Sequence, residues 1–125
     1  MRRRLEGLVA RFHRGERKGL LLALVSALRL RDRGEPVTPE NVAKEGRGII
    51  RRTRGRLDWG VEEEEFTASY AADLLEELVE MGVLEPDPSA LEELEKRYRF
   101  RSYEAEEDAR IEALKAAAPI LLRAV

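Results

Sequence analysis

Cysteine and glutamine are absent from this 125-residue chain, and asparagine and histidine occur once each, as Asn41 and His13. These shortages close off whole classes of chemistry. Without cysteine there is no disulfide framework, no thiolate nucleophile and no cysteine-ligated zinc. His13 lies in a basic amphipathic stretch and reads as a surface residue. Ser26, Ser69, Ser89 and Ser102 lack the surroundings that activate a hydroxyl. Gly46-Arg47-Gly48 is neither a P-loop nor a dinucleotide fingerprint. The carboxylates of Glu62, Glu63, Glu64 and Glu65 are hard-cation ligands in type. Successive helical positions point in different directions, however, so the run reads as a solvated helix start. No enzyme, cofactor or metal is expected. No apolar run reaches the 18 or so residues of a membrane span, and no signal-peptide core follows Met1-Arg2-Arg3-Arg4. The expectation is therefore a cytoplasmic protein with no membrane partner.

What the chain has is charge. Charged residues make up 38% of it beside 43% hydrophobic ones, against a usual charged fraction of about 25%. Few labile amides with many charges is a thermophile-like composition. The net charge of −2 hides a division. Residues 1–56 hold 16 Lys or Arg against 6 acids, and residues 57–125 hold 7 against 19. Such asymmetry suggests an anionic partner for the basic half, either DNA or RNA. It equally suits halves that neutralise each other, a protein partner, or a homodimer.

The apolar pattern predicts a mainly α protein of one domain. Leu5, Leu8, Val9 and Phe12 mark an amphipathic helix within a basic N-terminal arm, residues 1–16. Residues 17–33 are apolar nearly all round, as in a central buried helix, with Gly34 as its stop. Thr38-Pro39-Glu40 reads as N-cap, first helical position and first-turn acid of a short helix that Gly46 ends. Residues 46–60 read as partly helical, partly looped. Residues 62–81 carry an apolar stripe through Phe66, Tyr70, Leu74 and Leu78, and Gly82 stops that helix. Val83-Leu84-Glu85 is a short strand before the turn Pro86-Asp87-Pro88. Ser89 with Glu92 is a capping box for a short helix over 90–96. Residues 97–101 alternate charge and aromatic as a half-buried strand does, with a continued helix as the alternative. A last helix covers about 104–122, which Pro119 kinks or ends.

The order of these segments resembles a winged helix-turn-helix domain over about residues 17–103. Leu75, Leu78, Val79, Gly82, Val83 and Leu84 are similar to that family's junction between third helix and wing. Tyr98-Arg99-Phe100 resembles the returning strand, and residues 37–43 its second helix with lead-in. The resemblance implies a helical core with a short two-stranded wing; the C-terminal helix segment, 104–125, follows it. The alternative is an all-α bundle of five to six helices. Two features depart from the family: some fifteen Arg- and Gly-rich residues replace the short turn before the third helix, and that helix is acidic. The third helix normally faces the major groove, so the acids put such docking in doubt.

The basic connection is the strongest candidate site. Arg47, Arg51, Arg52, Arg54 and Arg56 fall within ten residues, and guanidinium binds phosphate bidentately. Arg2, Arg3 and Arg4 extend that surface if the arm folds alongside, and Arg97 and Arg99 supply wing contacts. Trp59 either stacks on a base or, more commonly, belongs to the core. The expected function is nucleic-acid binding by a winged-helix-like regulator or accessory protein. The alternative is a non-catalytic protein-interaction or self-association module.

Overall fold

A computed structural model describes residues 19–88 and 96–124, with side chains through residue 115. The helix expected over 2–13 and the one over 90–96 lie outside the described residues. The chain is mainly helical, with a small two-stranded antiparallel sheet. Its elements run α1 (Leu20–Asp32), α2 (Pro39–Arg52), a 3₁₀ turn (Glu63–Glu65), α3 (Ala68–Glu80), β1 (Leu84–Pro86), β2 (Tyr98–Phe100) and α4 (Tyr103–Ala124).

α1 is the hub of the core, as its all-round apolar sequence predicts. Leu20, Leu22, Ala23 and Leu24 are fully buried, and apart from the half-buried Val25 exposure returns only at Arg29, Arg31 and Asp32. Ser26 is tolerated there because its hydroxyl donates to the Leu22 carbonyl one turn back, at 2.7 Å, and a buried hydroxyl without a partner is costly. α1 ends as expected: Gly34 adopts φ 72°, and Glu35 N–H closes onto the Leu30 carbonyl.

α2 begins where the sequence places it. Thr38 Oγ1 accepts from Asn41 N–H at 3.1 Å and Pro39 takes the first turn. It does not stop at Gly46, however. The helix runs through Gly46 and Gly48 to Arg52, which supplies the helical part of the connection over 46–60. Gly46 serves tertiary packing instead. A Cβ there would lie 2.2 Å from Cε1 of Phe66, which is itself fully buried. The missing side chain is the seat for that ring, and it lets α2 and α3 approach closely.

The start of the next helix is also corrected. Glu63–Glu65 form a 3₁₀ turn, and α3 begins afresh at Ala68 behind an N-cap, Thr67, whose Oγ1 accepts from Tyr70 N–H. The break turns Phe66 inward between the two helical pieces. Gly82, at φ 80°, then ends the α3 segment as expected.

The antiparallel sheet pairs Leu84 with Phe100, Glu85 with Arg99 and Pro86 with Tyr98. The strand expected over 97–101 is thus present as β2. Asp87 N–H donates to Arg97 and Arg101 N–H to Val83, so alternate residues face the partner strand. Pro86 falls on the outward phase of β1, where its absent N–H removes no ladder bond. On the far side of β2, Tyr98 N–H donates to Val37 at 2.9 Å in an isolated antiparallel bridge. The α1–α2 link is thereby tied to the sheet.

α4 continues through Pro119 rather than ending there. It packs on α1 and β2, with Ala105 and Ala109 fully buried. Arg110 pairs with Asp32 and Arg31 with Glu106, fixing α4 to the C-terminal end of α1.

Candidate functional site

The arginines of residues 47–56 meet different fates because most of them ride on α2. Arg47 points into the α2–α3 seam and donates to the Phe66 carbonyl at 3.0 Å. It latches the segment whose ring fills the Gly46 seat and does not offer a free phosphate-binding fork. Arg56 folds back onto the Arg52 carbonyl at 2.8 Å, satisfying an end group of α2. Arg51, Arg52 and Arg54 stay outward, with side chains 65%, 58% and 66% exposed.

Two carboxylates organise these side chains. Glu63 accepts from Arg51 at 2.6 Å and from Arg54 at 2.9 Å. Those hydrogen bonds and the charge of both guanidiniums hold its carboxyl below the usual carboxylate range. Glu45 accepts from Arg29 at 2.7 Å and from Arg33 at 2.7 Å, with Arg52 at 3.8 Å. The Arg33 hydrogen bond is the main reason its carboxyl is pulled down to about 2. Five guanidiniums therefore share three carboxylates, since Arg33 also donates to Glu35 at 3.2 Å, which leaves an excess of cationic hydrogen-bond donors on this side of the molecule.

Arg29 and Arg33 were not among the expected site residues. They stand at the C-terminal end of α1, where cations also suit the helix dipole. Their four-residue spacing, which places both on one face, was the available signal.

Arg97 and Arg99 stand apart from Arg51, Arg52 and Arg54. Arg99 Nε bonds Glu85 across the strand pair at 2.6 Å. Arg97 lines a cleft of about 270 Å³ between the α1–α2 link and β2, together with Arg31, Glu35 and Asp87. This cleft is at the Val37 end of α2, whereas Arg51 lies twelve residues further along it, roughly 18 Å at about 1.5 Å per residue. Arg2, Arg3 and Arg4 lie outside the described residues.

Trp59 belongs to the core: it is 7% exposed and its Nε1 donates to Thr53 Oγ1 at 3.0 Å. Base stacking by this ring is thereby overturned. α3 exposes Ser69, Asp73, Glu76 and Glu80 along one face. Glu76 accepts from the buried Tyr98 hydroxyl at 2.6 Å, and burial with that contact pushes the phenol pKa up.

Among the described residues, no group of three His, Asp or Glu is placed to hold a metal ion, and no helix is long and apolar enough to cross a membrane. Comparison with protein-family models, with curated proteins and with solved structures finds no match to this chain.

Proposed function

We propose that the chain is a winged-helix-like, non-enzymatic domain that binds nucleic acid along its phosphate backbone through Arg51, Arg52 and Arg54. The fold reading is supported by the element order, three helices followed by a two-stranded antiparallel sheet and a last helix. The binding reading rests on one observation: three well-exposed guanidiniums stand on one helix end and its turn, each already oriented by a carboxylate. Guanidinium outnumbers carboxylate there, which leaves donors for phosphate oxygens.

Major-groove reading by α3 is not part of the proposal. Asp73, Glu76 and Glu80 occupy its outward face, and phosphates repel them. Contacts made only to phosphate give affinity that is steep in salt and poor in sequence choice.

The test is fluorescence anisotropy with a labelled duplex and a labelled single strand. Three phosphate contacts on duplex predict a loss of about 40-fold in affinity between 50 and 200 mM salt. Changing Arg51, Arg52 and Arg54 together to Ala is expected to abolish the salt-dependent component. Absence of binding to either probe at the lowest salt sinks the proposal.

The acidic face of α3 favours a second reading, a docking site for a basic protein segment. It is tested by calorimetry with a lysine-rich peptide, whose binding is expected to disappear in an Asp73→Asn, Glu80→Gln variant.

A further inference from the structure

α4 carries two carboxylates on its inner side. Asp108 and Glu112 are 5% and 3% exposed, one turn apart and so neighbours on the helix surface, beside the buried Ala105 and Ala109. Glu112 is met by a cation from one side only. Lys115 Nζ lies 3.4 Å from its Oε1, beyond the about 2.7–2.9 Å of a charge-assisted hydrogen bond, and that lysine side chain is 56% exposed. Its Oε2 is buried and has no hydrogen-bond partner among the described residues. A carboxylate withdrawn from water calls for a paired cation, because the lone charge loses its hydration and gains nothing in exchange.

We infer that the basic N-terminal segment, residues 1–18, docks on this side of α4 and brings Arg11 and Arg14 to Glu112 and Asp108. The described cations around α4 are already engaged, Arg110 with Asp32 and Arg31 with Glu106. Beyond the described side chains, residues 89–95 hold three acids and no cation. Residues 116–125 hold Arg123 alone, roughly 16 Å past Glu112 along the helix axis at about 1.5 Å per residue. Residues 1–18, by contrast, hold seven Lys or Arg against two acids. Within them Arg11 and Arg14 are three positions apart. On the helix expected there this spacing puts both on one face, as two carboxylates one turn apart require.

Reach and chemistry agree. The segment enters α1 at Gly19, and α1 packs against α4. Eighteen residues span roughly 27 Å even when helical, more than the roughly 20 Å of the 13-residue α1. Arginine suits the task, since its planar fork engages both oxygens of a carboxylate and is weakly hydrated. The pairing draws Arg11 and Arg14 away from phosphate and makes no use of Arg51, Arg52 or Arg54. The two proposals therefore fail independently.

Trypsin reads the docking on the full chain, because the segment holds seven of its target residues. Cleavage after Arg11 and Arg14 is expected to run at least about 10-fold slower than in a free peptide of residues 1–18, the protection that one charge-assisted hydrogen bond confers. Equal rates overturn the inference. Asp108→Asn with Glu112→Gln is expected to remove the protection, with cleavage after the exposed Arg54 as the control for global unfolding. Protection that survives this change refutes the site. Arg11→Gln leaves α4 intact, so it decides the matter where the first variant loosens the fold. Cleavage after Arg14 is then expected to rise about 3–10-fold, and an unchanged rate refutes the pairing.

The absence of cysteine permits a second, independent reading of geometry. Lys115→Cys, combined with one substitution at a time from Leu8→Cys to Arg14→Cys, presents paired thiols to a short bis-maleimide. A cross-link within one chain is expected at some of these positions. Links formed only between chains assign the cation to a second copy and overturn the docking, as does the absence of any link.

Discussion

α2 and α3 are nearly equal in length, pack against one another, and carry opposite charge. α2 lies within the basic half of the sequence and α3 within the acidic half. In a linear reading these halves look like two surfaces for two partners. In the fold they meet along one seam, where Glu63 clasps Arg51 and Arg54. The lesson is that charge asymmetry along a chain fixes neither a patch nor its strength. Contact order decides which charges cancel, and only the surplus on the outer face of α2 remains available to a ligand.

The strongest way to break this pairing is at the seam itself. Gly46→Ala places a methyl group inside the Phe66 ring and so separates the two helices. The substitution gains about 1 kcal/mol of helix propensity. Overpacking costs typically 1–3 kcal/mol, more where the neighbour cannot yield. A net loss of about 1–2 kcal/mol in urea denaturation is expected. Trimming the ring as well, in Gly46→Ala with Phe66→Leu, should recover part of it. A variant more stable than the parent would show that the ring yields and that the seam is not set by Gly46.

A smaller effect is expected beyond the end of α2. Trp59→Phe keeps the buried ring but removes its donor to Thr53, an exchange of about 1 kcal/mol. As the one tryptophan of the chain, Trp59 also reports this region directly: its emission should be blue-shifted in the folded state and move red on unfolding.

Acid titration sharpens the comparison between the two carboxylates. Glu45 is held at about 2 against an ordinary value of 4.5. Its folded form therefore binds fewer protons than its unfolded form between these limits. The stability it contributes is present above about 4.5 and is lost as the pH falls towards 2. Glu45→Gln should flatten the acid limb of the stability curve in this window. An unchanged acid limb would assign the pH dependence to other groups.

The smallest stability change is expected for Glu63→Gln, since its ionic partners are exposed and such pairs contribute little. Its effect on binding should run the other way. Releasing Arg51 and Arg54 from a competing carboxylate is expected to raise affinity for nucleic acid several-fold at low salt. Weaker binding would show that Glu63 matters more as a brace than as a competitor.

Much of the scaffold was legible in the sequence because its signals are local. Thr38-Pro39-Glu40 announces a helix start, Gly34 and Gly82 announce stops, and the alternation through Tyr98-Arg99-Phe100 announces a strand. The errors share one cause, which is tertiary contact. Gly46 looks like a helix stop, yet it is shaped by a phenylalanine twenty positions away. The acids at Glu62–Glu65 look like the first turn of a helix, but Phe66 must turn inward and Thr67 restarts the helix behind it. The candidate site shows the same limit. A cluster of arginines was evident, but the roles of Arg47 as a latch and of Arg29 and Arg33 as members of the array depend on Phe66 and Glu45, which the chain brings close only by folding.

Pro86 carries a consequence for how the molecule ages in concentrated solution. A strand at the rim of a sheet is a template on which foreign strands can grow, because its spare amides stand ready to pair. On β1 one of these amides has no hydrogen to give. Growth of the sheet by accretion of further chains is thereby capped at its outer margin.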